Sequence, residues 1–531
     1  MLLLLVTASS ASAKELSYVA TSDPGRSLCS VPAEGWLKND FDDRAWSSGP
    51  VDAGVCAGPR FSRWRFEVGA ERAKLATVIL RIRYRHGFAA YLNGVEIARR
   101  HLAPGAAPLG LSIDAHGVEP ESIVVPARLL RAGANLLAVE VHPHTAGLQA
   151  FVEAQLGAAD GARITRGPYL QRLDEKEVTV VFDTDLPTTA EVSWGTTAGY
   201  GATTTDAPSQ VHHALRLTAL SAGTAYHYRV TAHAGPPPAR GEHDVIPAAE
   251  RIDAGDATFH TPPAAGRPLR FVVYGDVRSG HEVHARMNRS IAAEDPDFAL
   301  FTGDMVDGGA DEGQWERFFE IAAGLLRQLT IFPVAGNHDY VRPGRGIGTF
   351  VSLFRAPLRP GEEDGSYYSF DEAGVHFVAL DSGQYESPRQ LAWFENDLKE
   401  ARRKKAHAIF VYSHEPPYSA GSHGDNQVCI HDYLPLMDRY HITMFFGGHD
   451  HDYERGRAGT LDYIVTGGGG AEIRPPRCGV PGSSACPPRV TAFFNEHNYV
   501  TVEVMAAFYR VCAKRPDATP LEACVNIPLR P

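Results

Sequence analysis

Polar and apolar positions alternate along the first half of this chain, and unbroken apolar runs replace them in the second. Thr77–Tyr84 and Asn135–His142 switch character at almost every step, the period of a strand with one buried face. Between them, Phe88–Leu92 leads into Asn93-Gly94, a strong short-range hairpin signal. Residues 14–160 are therefore expected to be all β. A second β unit is expected over 163–262, with short strands at Val178–Phe182, Thr189–Trp194 and Thr224–Thr231 at sandwich spacing. Pro236–Pro238 falls in a loop of that unit, and the Pro- and Ala-rich Thr261–Pro268 reads as a linker. From there the pattern changes. Phe271–Tyr274, Phe298–Thr302, Leu329–Ala335, Ala408–Val411 and Ile442–Phe446 read as strands buried on both faces. Glu282–Ala293, Glu312–Gln328 and Pro388–Lys405 have helical spacing, and the cations Arg402–Lys405 complement the C-terminal end of the last. Residues 267–531 thus predict an α/β domain with an irregular, cysteine-bearing tail.

Length and composition bound the rest. The 531 residues accommodate about three domains of ~150 each. Hydrophobic residues at 44% and charged residues at 21% are those of a globular protein and exclude wholesale disorder. A net charge of −12 without a long basic run argues against nucleic acid or an anionic membrane as partner. Residues 1–13, with Met1–Val6 apolar and Ala11-Ser-Ala13 as a cleavage site, read as the end of a secretion signal whose start lies upstream. No Cys follows that site, which argues against a lipid anchor, and no later apolar segment reaches the ~18 residues of a membrane span. A secreted or periplasmic protein is expected. Seven cysteines suit that compartment: Cys478 with Cys486 and Cys512 with Cys524 are spaced for local loops, Cys29 with Cys56 can form a third, and Cys429 remains.

The chemistry lies where the apolar runs end. Tyr274-Gly-Asp276-Val-Arg278, Gly303-Asp304-Met-Val-Asp307, Gly336-Asn337-His338-Asp339, Val411-Tyr-Ser-His414 and Gly448-His449-Asp-His451-Asp-Tyr453-Glu-Arg455 each follow an expected strand. Functional residues of α/β proteins gather at the carboxyl ends of strands. Carboxylate, amide and imidazole donors together suit Mn, Fe or Zn. Two such ions clamp a phosphoryl group and lower the pKa of a bound water from ~15.7 toward ~7. Gly467–Gly470 lacks the Lys-Ser/Thr of a phosphate loop and reads as a tight turn near the site. His281, His376, His431 and His441 read as surface or packing residues.

On these motifs the chain resembles the calcineurin-like metallophosphoesterases. The trailing Tyr453-Glu454-Arg455 makes it most similar to their purple acid phosphatase branch. The resemblance implies one metal held by Asp276, Asp304 and His451. It implies a second held by Asn337, His414 and His449, with Asp304 bridging. It implies two metal ions (Fe, Mn or Zn), His338 and His423 at the substrate, and hydrolysis of phosphate monoesters by a metal-bound hydroxide. Both histidines are candidate proton donors to the leaving group. Residues 163–262 resemble the fibronectin-like domain that precedes such enzymes. Trp36…Trp46, Tyr91–Gly94 and Leu130–Leu137 resemble galactose-binding-like jelly rolls, which contact sugar or simply pack beside an enzyme. The implied architecture is two N-terminal β-sandwiches followed by an α/β metallophosphoesterase sandwich, acting on a small phosphorylated substrate.

Two positions depart from the pattern. Arg278 stands where the wider superfamily has a ligating His, and Asp307 where the purple branch has a ligating Tyr. A guanidinium cannot ligate. It can fork onto a substrate phosphate, which gives Arg278 a catalytic role, or it can pair with a nearby carboxylate. Asp307 ligates or is a structural hydrogen-bonding residue. Without a tyrosinate the protein is not expected to be purple. Rival readings are a phosphodiesterase or nucleotidase on the same scaffold, and a secreted binding protein with a decayed metal site.

Overall fold

The computed structural model describes residues 16–20, 23–49, 56, 58–69, 77–103, 110–113, 119–125, 129–145, 150–159, 163–234, 251–341, 346–354, 365–474 and 486–529. The leader, Pro236–Pro238 and Cys478 lie outside them.

The N-terminal region is β throughout. One antiparallel sheet orders Leu16–Val19, Phe151–Ala159, Thr77–Arg85 and Glu119–Val125. The other orders Ser47–Gly49, Gly25–Leu28, Arg60–Val68, Gly133–His142, Gly87–Leu92 and Val95–Arg100. Alternate residues Val78, Leu80, Ile82 and Tyr84 of the first share a core with Leu137, Val139 and Val141 of the second. Asn93 (φ 52°) and Gly94 (φ 84°) both sit in the left-handed region that a two-residue hairpin turn requires. Cys29–Cys56 and Cys512–Cys524 are disulfides, Cys486 is disulfide-bonded, and Cys429 is free and buried.

The second β region differs from expectation. Val178–Phe182 and Thr189–Trp194 are not separate strands but parts of one 18-residue strand, Val178–Gly195. The polar Thr184-Asp185 step breaks the sequence pattern, yet the backbone runs on because Ala202–Leu217 pairs with both halves across a register shift between Asp183 and Thr188. The result, among the described residues, is five strands joined through that long strand, with Val180, Phe182, Val192, Trp194, Tyr228 and Val230 in one core. It is fixed to the following domain. Tyr169 Oη donates to Leu353 O (3.0 Å), Tyr228 Oη donates to Arg327 O (2.7 Å), and Arg166 bridges Asp183 and Glu312.

The C-terminal domain packs two sheets face to face. The first orders Ile331–Pro333, Phe298–Phe301 and Leu269–Tyr274 in parallel, then Tyr499–Val504, Phe508–Lys514 and Val525–Pro528 antiparallel. The second orders Tyr368–Glu372, Val375–Ala379, Ile409–Tyr412, Met444–Gly447, Leu461–Thr466, Tyr453–Ala458 and Val490–Phe494. Phe271, Phe298, Phe377, Phe410 and Phe446 meet between them. On the outer faces, Val272, Ala299 and Phe301 pack on Met287, Ile291, Trp315 and Phe318 from helices His281–Glu294 and Glu312–Leu326. Val378, Ile409, Val411 and Phe445 pack on Phe394 and Leu398 of Pro388–Arg403 and on Tyr433 and Met437. Both faces of these strands are covered, which explains their unbroken apolar runs; each fully buried large side chain contributes ~1.5–3 kcal/mol.

Register then sets the site. Tyr274 pairs with Phe301 and Phe301 with Pro333, so Asp276, Asp304 and Asn337 leave one edge side by side. Tyr412 pairs with Phe446, so His414 and His449 leave the second sheet together.

Candidate metal centre

Asp276, Asp304 and His449 lie in left-handed backbone, at φ 57°, 57° and 69°. For non-glycine residues this costs of order 1–3 kcal/mol each and persists only where surroundings enforce it. Here they do. Asp276 N donates to Gly303 O (2.8 Å), Asp304 N to Asp339 Oδ2 (2.9 Å), and His449 N to both oxygens of Asp276 (3.2 and 3.1 Å). Gly448 allows that approach: a Cβ there would meet Asp276 Oδ2 at 2.2 Å. The loop after Asp304 is set by Asp311, whose side chain caps helix Glu312–Leu326, and by Gln314 Oε1, which accepts from Asp307 N and Gly308 N.

Donor atoms converge in two groups that share Asp304. In the first, His414 Nδ1 faces Thr302 O (2.9 Å) and so carries its proton there, leaving a lone pair on Nε2. That Nε2 lies 2.9 Å from Asn337 Oδ1, 3.0 Å from His449 Nδ1 and 3.5 Å from Asp304 Oδ1. Burial holds His414 at a pKa of about 3, with further cations lowering it, and burial and His414 likewise push His449 down. Neutral imidazoles, an amide oxygen and a carboxylate crowded around one point are the donor set of a first-row cation. Asp276, Asp304 and His414 offer ligand atoms within 4.8 Å of one another.

In the second group, His451 Nδ1 faces Glu472 O (2.6 Å), fixing a lone pair on Nε2, which lies 3.7 Å from Asp276 Oδ1. Burial lowers His451 to about 4, and Asp276 is raised well above the usual carboxylate range by burial and by Asp304. Two buried carboxylates so close favour a cation between them. Arg278 contests that place. Its Nη2 donates to His451 Nε2 (3.0 Å), its Nη1 to His338 Nε2 (2.7 Å), and its Nε stands 3.5 Å from Asp304 Oδ2.

Each sequence-predicted site residue falls in or beside this cluster. His338 lends Nδ1–H to Asp307 O (2.8 Å) and accepts from Arg278. His423 stacks on His449 (3.8 Å between centroids), its Nδ1 2.8 Å from Asp450 Oδ1. The Asp307 carboxylate is 46% exposed and faces Arg278 (3.4 Å). Asp339, Asp450 and Arg474 went unassigned. Asp339 accepts from the backbone N–H of Asp304, Met305, Val306 and Gly336; burial and Asp304 push its pKa to about 8 against those bonds. Asp450 accepts from Ser419, Ser422 and His423. Both aspartates stand inside motifs already quoted, whereas nothing local flags Arg474.

With this geometry in view, the relatives are informative. Residues 269–453 match the calcineurin-like phosphoesterase family. Purple acid phosphatase 21 of Arabidopsis thaliana is 29% identical over 255 residues, 46% of this chain and 53% of that protein. Purple acid phosphatase 22 of the same plant is 28% identical over 257 residues, 46% and 54% respectively. The chain thus spans about half the length of the curated relatives it matches. In fold it is similar to the purple acid phosphatase PPD1 from yellow lupin seeds, at TM-score 0.58 and 14% identity, covering 89% of this chain and 93% of that one. The chain therefore carries a calcineurin-like phosphoesterase domain and over it is similar to purple acid phosphatases.

Proposed function

We propose that the chain hydrolyses phosphate monoesters at a two-cation centre held by Asp276, Asp304 and His451 on one side and Asn337, His414 and His449 on the other. The observation that supports this reading is the convergence of His414 Nε2, Asn337 Oδ1, His449 Nδ1 and the Asp304 carboxylate. Bound cations supply Lewis acidity toward the phosphoryl oxygens and toward water. The chain's own residues do the rest. Arg278, only 8% exposed, forks toward the phosphoryl group and holds His338 in one tautomer between itself and Asp307 O. His423 is the proton donor to the leaving alkoxide: Asp450 meets Nδ1 and fixes the ring, and Nε2, which faces Arg474 Nη1 at 2.8 Å, is the atom left to serve the leaving group.

We read the N-terminal region as a galactose-binding-like sandwich and the middle sheet as a fibronectin-like unit. Trp36, Phe61, Asn93, Arg131 and Glu140 line a cavity of about 800 Å³ on the former, a surface suited to carbohydrate. The disulfide-bonded cysteines and the apolar leader support a secreted or periplasmic location.

The test is a comparison of p-nitrophenyl phosphate with bis(p-nitrophenyl) phosphate on protein reconstituted with Fe, Mn or Zn. Faster monoester turnover that disappears in Asp304→Asn is expected. Preference for the diester would replace this reading with a phosphodiesterase, and failure to retain metal would favour a decayed site.

A further inference from the structure

A second guanidinium stands at the edge of the ligand cluster, delivered by the glycine run that the reaction leaves unexplained. Gly467–Gly470 packs backbone against backbone: Gly469 N donates to Gly275 O (3.0 Å), and a Cβ on Gly469 would meet that oxygen at 1.9 Å. Ala471 N donates to Asp276 O (2.8 Å), and Glu472 O takes the Nδ1 proton of His451 (2.6 Å). The segment is thus pinned to two metal-ligating residues. Two positions on, Arg474 directs Nη1 onto His423 Nε2 at 2.8 Å. His423 is itself held, through its backbone N and Nδ1 by Asp450 and by stacking on His449.

A neutral imidazole is a poor partner for that group. Arginine carries a permanent charge and five N–H donors in a planar fork. The neighbouring Arg455, Arg457 and Arg489 meet Glu522, Asp462 and Asp425. Arg474 has no carboxylate within ion-pair distance among the described residues, and its one hydrogen bond there is to His423. Arg278 stands on the His338 side, donating to two imidazoles while also facing Asp304 and Asp307. Two guanidinium forks beside one centre, one of them without a carboxylate partner among the described residues, suit an incoming polyanion.

We propose that Arg474 is a specificity-determining residue that leaves His423 Nε2 to take a non-bridging oxygen of a phosphomonoester dianion, favouring it over a singly charged diester. The proposal rests on the phosphoesterase reading above.

The experiment uses full-length, metal-loaded wild type, Arg474→Gln and Arg474→Lys. Inorganic phosphate binding is measured by calorimetry, with kcat and KM for p-nitrophenyl phosphate and its bis ester, and metal content. Loss of one charge-assisted hydrogen bond predicts about tenfold weaker phosphate binding and a similar rise in monoester KM for the Gln variant. Diester kinetics should stay within about twofold, Lys should recover part of the loss, and metal content should not change. Phosphate affinity unchanged by Arg474→Gln, equal losses on both esters, or lost metal would overturn the proposal. If wild type turns over neither ester, the functional reading falls, while the phosphate comparison still decides the role of Arg474.

Discussion

Replacing Asp339 by Ala tests whether the centre is held by its backbone or only by its ligands. The buried carboxylate joins two loops, accepting from Met305 N (2.9 Å) and Val306 N (3.3 Å) on Oδ1, and from Asp304 N (2.9 Å) and Gly336 N (2.8 Å) on Oδ2. Alanine strands four buried donors. At the low end of ~1 kcal/mol for each unsatisfied group, the loss is about 4 kcal/mol. Water entering a relaxed loop keeps it near that lower bound. Asparagine can serve one oxygen's pair of donors but turns its NH2 toward the other pair, so about 2–4 kcal/mol is expected. The assay is urea unfolding with and without metal. The transition that added metal shifts identifies the catalytic domain. Metal affinity should fall in the same order, because Asp304 and Asn337 lose their common anchor. A loss under about 1 kcal/mol for Asp339→Ala, with full metal content, would refute the argument.

Three further outcomes are expected. Arg278→Ala should weaken phosphate inhibition about tenfold and lower monoester turnover with metal content intact; unchanged kinetics would discard the clamp. His423→Ala should depress turnover of alkyl phosphates about 10²-fold and of nitrophenyl phosphate far less, and equal losses would remove the proton-donor role. His376 is buried between Asp371 and Asp397; burial opposes its charge, but hydrogen bonds to both carboxylates prevail and raise its pKa. A raised folded pKa means the stabilisation is complete below the unfolded value of ~6.5 and fades as pH rises through the folded one. The stability gap between wild type and His376→Gln should therefore be widest near pH 6 and shrink as pH rises above it, and a gap that widens would contradict the pairing.

Much of the catalytic domain was legible because its strands are covered on both faces and its ligands follow strand ends, so apolar runs and chemistry stand next to each other in sequence. Helices were equally plain: Glu282–Ala293 was expected and His281–Glu294 is found. Long-range relations were not. Pairing with Ala202–Leu217 fused two expected strands into Val178–Gly195, and no local pattern announces a partner strand. Arg474 becomes visible only once the glycine run folds its segment onto Asp276 and His451. His376 packs in the interior and is also an ion-pair centre, because Asp397 reaches it from a helix 21 residues away.

The six proposed ligands divide three and three between the sheets. Asp276, Asp304 and Asn337 come from one, His414, His449 and His451 from the other. Cations lodged there would rivet the two halves of the domain, so sliding one half against the other by an ångström would open the rivet. Mechanical strain applied across the seam between sheets should thus release metal before either half unravels.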